Sequence, residues 1–171
     1  MFDGHDDWVH VMKVLALLLG ALLSSGDRGP DLRKIGHIPS KPRIQDYRNG
    51  MVEELLRIPD DAVPLLVSRL TDRKRAPEGT LDFWPQPPTS AIALLILCDL
   101  FTRPDLVTPA LPEMAWDSIL ERTNQDTPAW ELYEGFIKRH GEKALQAKVR
   151  TILAKHRLRW NATERCFEPT G

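Results

Sequence analysis

Ala91-Ile92-Ala93-Leu94-Leu95-Ile96-Leu97-Cys98, followed by a single charge at Asp99 and then Leu100-Phe101, decides how this chain folds. Apolar residues cover nearly every face of the helix this run would form. Such a helix is stable in water only when protein surrounds it. The spacing predicts a helix from Ser90 or Ala91 to Thr102 at the centre of a core. It is too short to cross a bilayer, which takes ~20 residues. Arg103-Pro104-Asp105 then breaks the chain.

The flanking segments supply helices to cover it. Tyr47, Met51, Leu55 and Ile58 fall at helical spacing over about 44–58, and Pro59 is expected to end that helix. Val63, Leu66, Val67 and Leu70 mark a second helix, Ala62 to Leu70, capped by Asp60 or Asp61. Beyond the break, a helix is expected from about Glu113 to Arg122, with Met114 or Ala115, Ile119 and Leu120 inward. Thr127 and Pro128 open another, which Gly141 closes after His140. The last helix is expected from Glu142 to about Arg159, with Leu145, Val149, Ile152, Leu153, His156 and Trp160 on one arc. The tail carrying Cys166 and Phe167 folds back as a short extended arm. No segment alternates convincingly at period two, so the expected class is all-α, a compact multi-helix bundle. Between the second and third helices lies a Pro-rich loop, 71–89, with four prolines and no helical period. Loops beyond ~12–15 residues are uncommon in compact domains and are usually functional or disordered.

The segment Val14-Leu15-Ala16-Leu17-Leu18-Leu19-Gly20-Ala21-Leu22-Leu23 follows Lys13 and ends in Ser24-Ser25-Gly26. This apolar run has the length of a signal peptide, ~7–15 residues closed by small ones. Residues 1–26 are therefore expected to be a signal peptide, cleaved before Asp27, or an N-terminal anchor. Asp3, Asp6 and Asp7 give an acidic flank where a basic one is usual, which a true start at Met12 would resolve. The protein is expected to be exported, to the periplasm or the cell exterior, with tethering to the inner membrane through 14–23 as the alternative. Residues 27–42 read as an extended lead-in, and 43–171 as a single helical domain.

The chain has 171 residues, 42% hydrophobic and 27% charged, with a net charge of −1. Without residues 1–26 the balance is 22 basic against 21 acidic, or +1, which gives no global pull toward nucleic acid. Cys98 and Cys166 are a candidate disulfide in an oxidising compartment.

Asp61-Ala62-Val63-Pro64-Leu65-Leu66-Val67-Ser68-Arg69-Leu70-Thr71-Asp72 resembles the first helix of a HEAT-type repeat, with the 91–102 helix as its partner. The resemblance covers about 40 residues and shows no second copy, where solenoids need about three repeats. It implies a HEAT-like helical pair within a scaffold for binding other proteins.

Arg73, Lys74, Arg75, Phe83 and Trp84 in the 71–89 loop are the candidate interaction residues, because aromatic and Arg side chains supply most interface hot spots. The alternative for Phe83 and Trp84 is that they fold down over the core. Lys148, Arg150, Lys155, Arg157 and Arg159 make the last helix basic, a candidate surface for an anionic membrane or polymer. Eight bases and one acid lie between Lys138 and Arg159, against seven acids and one base between Asp105 and Glu134. The basic rims of the last helix therefore suit the acidic helices beside it. Glu113, Asp117 and Glu121 recur every four residues, a carboxylate stripe open to acid–base work if one member were buried. Asp3, His5, Asp6, Asp7 and His10 are potential metal ligands within the leader, and Asn161-Ala162-Thr163 is a glycosylation sequon.

There is no Gly-x-Ser-x-Gly, His-Glu-x-x-His, Cys-x-x-Cys or Gly-rich phosphate loop, so no cofactor and no catalytic role are expected. The expected function is protein–protein interaction or a structural role at the cell envelope, with another protein as partner. The alternatives are an anionic-surface binder through the basic helix and an unrecognised hydrolase through the carboxylate stripe.

Overall fold

The computed structural model describes residues 30–38, 50–103 and 109–170. Their elements run α1 (Gly50–Arg57), α2 (Pro59–Arg69), α3 (Thr89–Leu100), α4 (Trp116–Ile119), α5 (Ala129–His140), α6 (Glu142–Ala154), β1 (Arg157–Asn161) and β2 (Cys166–Thr170). Single 3-10 turns occupy Leu32–Lys34 and Pro112–Met114. All of these elements fall in one unit, Asp31–Gly171.

The apolar run forms α3, and it is enclosed: Ile92, Ala93, Leu94, Ile96 and Leu97 are 0% exposed. Helix α2 makes the most extensive helix–helix contact with it, while α4, β2 and the Leu32–Lys34 turn also pack on it. The first amides of α3 lack intrahelical partners, as in every helix. Here the preceding loop supplies them. Thr89 donates its amide and its hydroxyl to the Lys74 carbonyl at 2.8 and 2.9 Å, and the Ser90 amide donates to the Asp72 carbonyl at 3.0 Å. With the Ala76 amide on the Pro87 carbonyl at 2.9 Å, these bonds pin the 71–89 loop at its neck. Ala76, Thr80, Leu81 and Trp84 then anchor its body in the core.

Helix α1 ends at Arg57, just before Pro59 as expected, and Pro59 also occupies the first position of α2, where a missing amide proton is harmless. Residues 31–38, expected as part of a lead-in, belong to the core: Leu32, Ile35 and Ile38 are at most 1% exposed. Ile38 bridges to Leu81, donating its amide to the Thr80 carbonyl at 2.8 Å. The expected helix over Glu113–Arg122 is broken in two at Ala115, whose backbone is extended. Arg122 is drawn out of it, its guanidinium on the Asp117 carboxylate and on the carbonyls of Gln125 and Thr127. Between α5 and α6 stands Gly141 alone, at φ +79° and ψ 164°, a conformation that side chains with a Cβ avoid.

The all-α expectation is corrected at the C-terminus. The structure is mostly helical but ends in an antiparallel hairpin with Arg157 opposite Thr170 and Trp160 opposite Phe167. Helix α6 therefore stops at Ala154 rather than Arg159. Phe167 packs against Trp160 at 5.1 Å and against Phe101, just past α3, at 5.6 Å between ring centroids. That cluster, available only to an extended segment, outcompetes further helix. Asn161 shapes the turn by accepting the amides of Thr163 and Glu164, both at 3.1 Å, and Arg165 adopts φ +49°.

Of the candidate disulfide pair, Cys98 is half-buried on α3 and Cys166 is buried at the start of β2, and the structure holds both as thiols. The leader 1–26, with its candidate cleavage site, anchor and Asp/His cluster, lies outside the described residues. Among the described residues no helix is long and apolar enough to cross a membrane.

Candidate functional site

The neck of the 71–89 loop fixes where its middle goes. Arg75, Glu78, Phe83, Trp84, Pro85 and Gln86 face Trp130 and Glu134 of α5 across an open cleft of about 550 Å³. Trp130 and Glu134 are four residues apart, hence on one helix face. Trp84 is the floor. It is 4% exposed, with its ring edge-on to Tyr133 at 5.4 Å and an interplanar angle of 61°. Tyr133 in turn stacks on Trp116 at 6.1 Å and donates its hydroxyl to Ser90 Oγ at 2.7 Å. Burial pushes the Tyr133 phenol up to about 12, so it stays a neutral donor. Phe83 and Trp130 are half-buried and keep part of their rings toward solvent. A rigid aromatic floor with partly open aromatic sides is the arrangement from which interface anchors are built.

The polar groups at this cleft are of two kinds. Arg75 donates Nη1 to the Gln86 carbonyl at 2.8 Å, a bond that closes the loop on itself. Glu78 and Glu134 are exposed, and neither makes an ion pair among the described residues. Chemically the cleft can bind and desolvate an apolar or cationic group. Among the described residues its lining includes no Ser, Thr, Cys, His or Lys.

Of the five loop candidates, Arg75, Phe83 and Trp84 meet at this cleft, while Arg73 and Lys74 do not line it. Arg73 is ion-paired to Glu142 at 2.6 Å. Lys74 serves through its backbone, on which α3 is capped. Both alternatives weighed for Phe83 and Trp84 occur together: Trp84 is core, and Phe83 is partly presented. Sequence reasoning missed Trp130, Glu78 and Glu134. An aromatic one turn before an acid on α5 was the available signal, masked because α5 also buries Leu132, Tyr133 and Phe136.

The candidate anionic surface is divided by the fold. Lys148 lies on α6, 2.7 Å from Glu121 and 5.4 Å above the Phe136 ring. Arg150 is exposed on the same helix, Lys155 caps its end, and Arg157 and Arg159 sit two apart on β1. Arg159 reaches Glu168 at 3.6 Å, where Arg103 binds the same carboxylate at 2.7 Å. Burial acts to raise the Glu168 carboxyl, but the Asn161 hydrogen bond and the Arg103 and Arg159 guanidiniums outweigh it and hold it below the ordinary value.

The carboxylate stripe does not survive folding. Glu113 in the Pro112–Met114 turn is 3.9 Å from His156, Asp117 is 2.8 Å from Arg122, and Glu121 faces Lys148. The Lys148 hydrogen bond lowers the Glu121 carboxyl, the opposite of what a general acid needs. Burial pushes the Cys98 thiol well up, with Asp99 and Asp117 adding to it, so it is a poor nucleophile. Among the described residues no group of three or more His, Cys, Asp or Glu is placed to hold a metal ion. A second, smaller depression of about 290 Å³ lies between Pro112, Glu113, Ser118, Lys148 and Ile152.

No protein family, no curated protein and no solved structure matches this chain.

Proposed function

We propose that the protein is an exported interaction module that docks another protein into the cleft between the 71–89 loop and α5. The observation that carries this reading is the convergence of Arg75, Phe83 and Trp84 with Trp130 at that cleft. The HEAT-like reading of the α2–α3 pair supplies the scaffold. Export, with release to the periplasm or cell exterior or tethering through 14–23, rests on the Lys13-to-Gly26 pattern.

Site-specific photo-crosslinking in the producing cells tests it. A photo-reactive phenylalanine analogue at Trp130 should yield a discrete adduct that the same analogue at Arg150 does not, and Phe83→Ala should abolish it. Identical adducts from both positions, or none from Trp130, would refute the docking site. N-terminal sequencing of the chain from fractionated cells tests the address, and an intact leader on cytosolic protein would refute it.

A second reading, binding of an anionic surface, is favoured by Arg150, Lys155 and Arg157. All three are exposed and make no ion pair among the described residues. Sedimentation with anionic vesicles that weakens steeply with salt would support it.

A further inference from the structure

The cleft carries a chemical preference of its own. Glu78 comes from the loop and Glu134 from α5, so two separate elements bring carboxylates to one opening. Lys138 lies one turn beyond Glu134, the favoured spacing for a helical ion pair, yet the two form none among the described residues. Arg75, the sole base among the described residues lining the cleft, has its guanidinium turned onto the Gln86 carbonyl. Two exposed carboxylates thus share the cleft with one committed cation and with Phe83, Trp84 and Trp130. Aromatic faces attract cations through their quadrupole and bury methylene stems, while carboxylates hold the charged head.

We infer that the cleft recognises a lysine or arginine side chain presented by an extended peptide segment of a partner protein, its stem on Phe83 and Trp130 and its head between Glu78 and Glu134. The inference deepens the docking reading above and rests on it. A peptide, rather than a small free amine, fits because the cleft is open along its length instead of enclosing its occupant. Sites that capture small molecules bury most of the ligand surface. Here one side chain enters while its backbone stays outside, passing across the opening.

The test uses the full chain and fluorescein-labelled Gly/Ala peptides with a central Arg, Lys, norleucine or Glu, read by anisotropy. Arg and Lys peptides should bind, norleucine about tenfold more weakly, and Glu not at all. Glu78→Gln and Glu134→Gln, both at exposed positions that leave the fold alone, should each weaken the Arg peptide about fivefold and leave the norleucine peptide unchanged. Added salt should weaken the Arg and Lys peptides and leave the norleucine peptide unchanged. Three results would overturn the inference: norleucine binding as tightly as lysine, Gln variants with unaltered affinity, or no cationic peptide binding at millimolar concentration. Free n-butylamine, protonated at neutral pH, displacing the Arg peptide at equal concentration would overturn the peptide assignment in favour of a free amine. If norleucine binds as well as lysine while Phe83→Ala still abolishes the Trp130 crosslink, the docking site stands and only its charge preference fails. If that crosslink is also unaffected, both readings fall.

Discussion

Replacing Trp84 with alanine separates a structural tryptophan from a docking one. Trp84 is 4% exposed and leans edge-on against Tyr133 at 5.4 Å. A buried Trp hides ~150–250 Å², and at ~25 cal/mol per Å² that is worth ~4–6 kcal/mol. A compact denatured chain already hides ~10–40% of such surface, which brings the loss to ~3–5 kcal/mol. Measured Trp→Ala substitutions in cores fall in the same range, ~3–5 kcal/mol. Domains of this kind are stable by only ~5–15 kcal/mol, so the variant should unfold at much lower urea but still fold in its absence. Trp130→Ala, at a half-buried site, should lose no more than about a third of that. Urea unfolding followed by far-UV circular dichroism compares the two directly. If Trp84→Ala lost less than about 1 kcal/mol, Trp84 would not be holding the loop to α5, and the floor of the cleft would be wrongly assigned.

Acid should destabilise the fold through carboxylates that it holds ionised. The Arg33 hydrogen bond lowers Asp31 to about 2, and Lys148 lowers Glu121. The folded chain then binds fewer protons than the unfolded one, so this stability is complete above the ordinary carboxylate range of about 4 and is lost as pH falls through the folded values. Thermal midpoints measured across that range should fall steadily, and less steeply in Glu121→Gln. Gly141→Ala meets no atom within 4 Å, so its loss of ~1–3 kcal/mol should be purely conformational and appear in the same urea assay. Thiol titration without reductant should find both cysteines reactive after unfolding and the buried Cys166 protected before it; a bridged species on a non-reducing gel would contradict the fold. In a double-mutant cycle, Lys148 and Glu121 should couple by about 0.5 kcal/mol. Lys148→Ala alone should lose more than Glu121→Ala, because it also loses the Phe136 contact.

The helical core was legible because one run, Ala91–Cys98, admits a single solution. A helix apolar all round must be central, and the stripe of α2 must face it. The hairpin was not legible because Leu153, His156 and Trp160 continue the arc of α6 at helical spacing. The same residues, Arg157-Leu158-Arg159-Trp160-Asn161, also alternate at period two. Five residues satisfy both periods, and only Phe101 and Phe167, distant in sequence, break the tie. The helix over 113–122 failed for a related reason. Arg122 is worth more as a clasp on three acceptors than as one more helical residue. Residues 31–38 read as lead-in because Gly36 and Pro39 punctuate them, yet Leu32, Ile35 and Ile38 recur every third position and fill the core.

Charge shows why composition alone could not locate the site. The basic 138–159 region suggested either an anionic partner or pairing with the acidic 105–134 region beside it. Folding sets parts of them face to face, Glu121 on Lys148 and Glu113 beside His156, so much of the apparent signal is internal. Pairing of this kind leaves little field at long range, and contact chemistry then decides what binds. At the cleft the same accounting runs the other way. Glu78 and Glu134 were inconspicuous in a chain with 24 acidic residues. They acquire meaning only because the loop neck at Asp72, Lys74 and Ala76 carries Phe83 and Trp84 across to Trp130, setting two uncompensated carboxylates beside aromatic surface that water solvates poorly.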